Sequence, residues 1–91
     1  MKFVYILVGE RSDEPCAADL RAFSTLETAK VAIEENYHSM LKMFDLTFEQ
    51  AQEMEKSFQE HDGEAFSVVI DESDFTEYYC RIECVDIEDL R

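Results

Sequence analysis

Carboxylates and thiols are the side chains of this sequence that could do chemistry. Between Asp45 and Tyr79 stand Asp45, Glu49, Glu53, Glu55, Glu60, Asp62, Glu64, Asp71, Glu72, Asp74 and Glu77, against a single base, Lys56. The whole chain is formally −14, from 22 acids and 8 bases. Its first 44 residues hold seven acids (Glu10, Asp13, Glu14, Asp19, Glu27, Glu34, Glu35) and five bases (Lys2, Arg11, Arg21, Lys30, Lys42), so the negative charge is concentrated in the second half. On a helix, carboxylates four residues apart, such as Glu49 and Glu53, stand about 6 Å from each other. That spacing is comparable to successive phosphates on a nucleic-acid strand, so a row of them can occupy a groove built for a phosphate backbone. The commoner use of such acids is a solvated face that keeps the protein soluble.

Other chemistries find less support. Asp71, Asp74 and Glu77 are three acids in one turn, but a calcium loop needs a central glycine that is absent there, which leaves only weak adventitious binding of a divalent cation. His38, His61 and the cysteines have no CxxC or HxxxH spacing, so no zinc site is expected. Cys80 and Cys84 fall on the apolar phase of a strand with Tyr78 and Ile82, where packing explains them better than reactivity. Four residues apart on a strand, they are separated by roughly 13 Å, too far for a disulfide. Cys16 follows Pro15 in a polar loop and receives no role. Gly9 and Gly63 are the only glycines, which excludes phosphate loops and dinucleotide fingerprints. The sequence therefore predicts neither an enzyme nor a cofactor. Eight scattered bases with no basic stripe likewise exclude direct nucleic-acid binding.

The elements that must position these residues are legible from periodicity. Residues 2–8 read as a strand apolar on both sides, with Phe3, Tyr5 and Leu7 on one and Val4, Ile6 and Val8 on the other, ended by Gly9 and the polar run to Pro15. Residues 19–23 form a second strand, antiparallel to the first. Ser24 and Glu27 have capping-box spacing for a helix starting at Thr25, whose stripe is Leu26, Ala29, Ile33, Tyr37, Met40, Leu41 and Phe44. Thr47 and Gln50 repeat that spacing before a helix over residues 48–60, with the stripe Phe48, Ala51, Met54 and Phe58 and a stop at Gly63. Alternation over residues 65–70 and 78–84 gives two more strands, the last shifting phase towards Val85 and Ile87 through a bulge.

These elements predict one domain over residues 1–91 with an α+β fold: ββααββ order, a four-stranded, mainly antiparallel sheet and two helices packed on one face. The third strand is short enough that the acids at the helix end and those in the last turn are expected at one end of the sheet. Val4, Ile6 and Val8 then lie either on an open face beside Val69 and Tyr79, as a candidate dimer face, or beneath the loop from Glu10 to Ala18. The opening apolar run is too short for a signal peptide or a membrane span, and unpaired cysteines suit a reducing cytoplasm.

In size and charge the chain resembles small phage or mobile-element proteins that block restriction, CRISPR or other nucleases, and immunity proteins that neutralise nuclease toxins. The resemblance covers length and charge and no motif. It implies an acidic protein-binding inhibitor, a DNA or RNA mimic whose partner is a basic, nucleic-acid-binding protein. Its contact residues would be Glu49, Glu53, Glu60, Asp62, Asp71, Glu72, Asp74 and Glu77, with Phe75 or Tyr79 as desolvated anchors. The alternative is a cytoplasmic interaction domain, a homodimer or docking module using the open sheet face.

Overall fold

A computed structural model describes residues 2–14, 17–71, 73 and 75–87. Glu72, Asp74 and Cys16 lie outside the described residues, so their expected places are not addressed by it. The elements run β1 (Phe3–Arg11), β2 (Ala17–Phe23), α1 (Leu26–Met43), α2 (Phe48–Glu60), β3 (Ala65–Asp71) and β4 (Thr76–Asp86). All pairings are antiparallel and the sheet order is β2-β1-β4-β3. This is the expected α+β fold, with the two hairpins joined through β1 and β4 at the centre.

The register decides which side chains share a face. Leu7 pairs with Ile82 and Arg21, Gly9 with Cys80, and Cys80 with Phe66, so these residues lie on one side. Ala32, Ile33, Tyr37 and Met40 of α1 and Met54 of α2 pack there, around Leu7, Phe66, Val68, Tyr78 and Cys80. Tyr37 stacks on Phe58 at 4.7 Å and meets Phe66 edge-on at 5.5 Å, joining both helices to β3. Phe66 has no exposed surface, and truncating such a side chain to alanine costs about 3–5 kcal/mol.

Local details depart from the pattern in four places. Gly9 does not end β1, which continues to Arg11. A Cβ there would collide with the Tyr78 hydroxyl and sit 2.9 Å from its Cζ, so glycine is what lets the Tyr78 ring cross the strand. The N-cap of α1 is Thr25, whose Oγ1 accepts from the Thr28 amide, and not Ser24 with Glu27. At the end of α2 the expected stop at Gly63 is left-handed, with φ 74°, and Asp62 before it is left-handed as well, with φ 54°. The Asp62 amide bonds Gln59 O and the Gly63 amide bonds Phe58 O, a complete Schellman closure. Finally, β4 pairs with β1 without interruption from Tyr78 to Asp86. The register shifts fall instead between Gly9 and Glu10 and between Val69 and Asp71.

The apolar stripe of α2 also differs. Thr47 and Gln50 form the predicted capping box, but the buried positions are Gln50 and Met54 and Phe48 is 76% exposed. At 3.6 residues per turn, Phe48 lies about 120° around the helix from Met54 and cannot face the core with it. Gln50 is buried because α2 runs beside the outer edge of β3: its Nε2 donates to Val69 O at 2.7 Å, and Ser57 Oγ accepts from the Ser67 amide at 3.1 Å. The helix thereby occupies hydrogen-bonding groups that an edge strand otherwise exposes.

Val4, Ile6 and Val8 are on the face opposite the helices. Val8 pairs with Leu20 and Arg81, Ile6 with Ala22 and Glu83, and Ser67 with Tyr79. Of the loop expected from Glu10 to Ala18, residues 10, 11, 17 and 18 belong to β1 and β2 themselves, and residues 15 and 16 lie outside the described residues. Val4 and Ile6 are half-buried, Val8 is buried, and Leu20 is 66% exposed.

Candidate partner-binding surface

The side chains expected to meet a partner fall into two groups, one at each end of α2. Thirteen helical residues span about 20 Å, and β3 returns along the helix over seven residues, about 23 Å. Glu60 and Asp62 therefore stand at one end, while Asp71 and the β3–β4 turn stand at the other, with Glu49 and Glu53 on the near half of α2. Glu60 and Asp62 are thus not at the same end of the sheet as Asp71, because β3 extends along its whole height.

The second group has a defined geometry. Glu49, Gln50 and Glu53 of α2, Val69 of β3 and Phe75 of the turn line a cavity of about 370 Å³. The Thr47 capping box fixes where α2 begins, and the bond from Gln50 Nε2 to Val69 O fixes the helix against the strand. Glu49 lies in the first turn of the helix, where the macrodipole favours a carboxylate. Phe75 is 80% exposed and adopts φ 53°, a left-handed conformation that a bulky side chain takes only at a cost. Phe48, next to Glu49 in the chain, adds a second exposed ring at this end of α2.

Ion pairs engage acids of β1, the loop after it, β2, α1 and β4. Among the described residues the bases pair as Arg11 with Asp13, Arg21 with Asp19, and Arg81 with Glu10 and Glu83, and His38 lies 3.8 Å from Glu34. Hydrogen bonding to Arg11 holds the Asp13 carboxyl below its ordinary range, and the bond to Glu83 raises the Arg81 guanidinium. Among the described residues no ion pair joins Glu49, Glu53, Glu60, Asp62 or Glu77 to a base. These carboxylates are free to meet an external cation.

The remaining expected residues are placed elsewhere. Glu77 is on the open face, opposite Val69, and its amide donates to Ser12 Oγ at 2.9 Å. Tyr79 also lies there, with the Arg81 guanidinium 5.3 Å from its ring centre, and it does not line the cavity that holds Phe75. Cys80 is buried at the core, whereas Cys84 is exposed although it shares the apolar phase of β4. No group of three or more His, Cys, Asp or Glu side chains among the described residues has the geometry to hold a metal.

Sequence reading missed one polar cluster. Asn36 Nδ2 donates to Tyr78 Oη at 2.7 Å and to Cys80 Sγ at 3.2 Å. Burial raises the Tyr78 hydroxyl and the Cys80 thiol above their ordinary ranges, keeping both neutral. An asparagine on a predicted apolar helix face, three positions after Ile33 and four before Met40, was the available signal, but only the packing names its partners. Compared with known proteins, the chain matches no family model, no curated protein and no solved structure.

Proposed function

We propose that the protein is an acidic inhibitor that binds a basic, nucleic-acid-binding protein by imitating a phosphate backbone. The carrying observation is that Glu49 and Glu53, without ion-pair partners among the described residues, share one cavity with the exposed Phe75. The carboxylates supply steering and the ring supplies the apolar contact that turns encounter into affinity. Glu60 and Asp62 form a second anionic group at the far end of α2, about 20 Å away and beyond Lys56. Among the described residues no helix is long and apolar enough to cross a membrane, and the proposed site of action is the cytoplasm.

The test is affinity capture from the source cell with elution by a salt gradient, followed by competition with duplex DNA or RNA. A partner that elutes at moderate salt and is displaced by nucleic acid supports mimicry. A partner that resists both salt and nucleic acid refutes it. The second proposed reading, docking through the open sheet face, draws support from exposed Leu20 opposite Val8 on the face that Val4 and Ile6 share; it predicts a complex indifferent to salt and lost on Ile6→Lys.

A further inference from the structure

The two edges of the sheet are treated differently. At β3, Gln50 and Ser57 of α2 occupy edge groups. At β2, among the described residues, no backbone hydrogen bond arrives from any element other than β1. The strand carries neither lysine nor proline, and its charges, Asp19 and Arg21, are of opposite sign on the helix-facing side. Its central residue, Leu20, is exposed, and the residues on either side of it, Asp19 and Arg21, have opposite charges on the opposite face of the strand.

That pattern is self-complementary. In an antiparallel pairing of β2 with β2 of a second copy, centred on Leu20, each Asp19 stands directly opposite Arg21 of the other copy. Two cross-strand pairs of opposite sign form at once, and the two Leu20 side chains meet on the open face. A two-fold axis through Leu20 satisfies the closure rule for an isologous dimer.

Global charge favours the same edge. The strand order puts β2 at the side of the sheet farthest from β3 and α2, where the acidic second half resides. Joining two copies through β2 keeps those surfaces at the outer ends of the assembly, where screening over about 8 Å at physiological ionic strength leaves little mutual repulsion. A groove of about 350 Å³ between β2 and α1, lined by Arg21, Phe23 and Val31 among others, lies open beside the strand and leaves room for side chains of an added strand.

We infer that the protein forms a homodimer by antiparallel pairing of its β2 edge strands about Leu20, giving one continuous eight-stranded sheet. The inference does not rest on the inhibitor reading, and its test needs no partner.

Charge exchange tests it. Sedimentation equilibrium of the wild-type protein from about 1 μM to about 1 mM, the range expected of a small strand-to-strand interface, should show the mass rising from one to two copies. Asp19→Arg makes the edge wholly basic and Arg21→Asp makes it wholly acidic, so each variant alone should dimerise about tenfold more weakly or not at all. An equimolar mixture of the two should restore a dimer containing one of each, and the double variant Asp19→Arg/Arg21→Asp should dimerise like wild type. Amide hydrogen exchange needs no substitution: exchange across residues 19–22 should slow as wild-type concentration rises. A wild-type protein that stays monomeric overturns the inference. So do single variants that dimerise undiminished, a mixture that does not associate, or β2 exchange independent of concentration.

Discussion

Gln50 Nε2 donates to the carbonyl oxygen of Val69 across 2.7 Å, while Gln50 Oε1 accepts from the Thr47 amide at 2.8 Å. One buried amide thus starts α2 and holds it against β3. Removing it with Gln50→Ala leaves the Val69 carbonyl and the Thr47 amide without these partners, at an expected cost of about 1–3 kcal/mol in urea denaturation. Gln50→Glu keeps the acceptor for Thr47 but sets an ionised carboxylate against a carbonyl. That variant should be weaker than wild type at pH 7 and recover part of the loss near pH 5, as protonation lets it donate; an equal deficit at both pH values would contradict this account.

The Tyr78 ring crosses the face of β1 at Gly9, where a methyl group would meet its hydroxyl. Gly9→Ala should therefore destabilise by about 1–3 kcal/mol through overpacking. Combining it with Tyr78→Phe, which removes the colliding oxygen, should recover part of that loss in a double-mutant cycle. Strict additivity would show that the two residues do not interact.

Alkaline pH should weaken the fold. Burial raises both Tyr78 and Cys80, whose ordinary values are 10.0 and 9.0. Above pH 9 the unfolded chain loses these protons while the folded chain keeps them, so the unfolded state is favoured as pH rises. This stabilisation is complete below pH 9 and declines through the range above it. Thermal midpoints between pH 8 and 11 should fall, and less steeply in Tyr78→Phe once its own lower starting stability is subtracted.

Stability and binding should separate at Phe75. Glycine tolerates the left-handed conformation that Phe75 holds at φ 53°, so Phe75→Gly should leave stability unchanged or raise it by up to about 1 kcal/mol. On the proposed function the same change lowers affinity for the basic partner by about tenfold or more, chiefly through faster dissociation.

Charge reversal at the same cavity acts on the other rate. Glu49→Lys with Glu53→Lys should slow association by about tenfold at low salt, with a smaller difference at high salt, where steering is screened. Stopped-flow mixing with the captured partner gives both rates. A partner whose association ignores these reversals is not steered by this surface.

How much of this was legible before folding is clearest at α2. The Thr47–Gln50 spacing predicts the N-terminus of α2 correctly, because a capping box joins residues three apart, whereas the same spacing at Ser24 and Glu27 yields to Thr25. Phe48 is exposed because it lies about 120° around the helix from Met54, outside the face that meets the core. Gln50 took the buried place because the neighbour is a strand edge with hydrogen bonds to satisfy, and an apolar side chain could not do so.

The same division holds for the whole protein. Element types and order, the segregation of charge and the parity that separates Val4, Ile6 and Val8 from Leu7 follow from local spacing, since helix and strand periods are properties of the backbone itself. Tertiary structure alone decided that acids close in sequence part to opposite ends of α2, that Glu49 and Glu53 meet Phe75, and that one sheet edge is covered while β2 stays open. Those relationships depend on strand order and on how a helix docks, which are set by contacts between residues far apart in the chain.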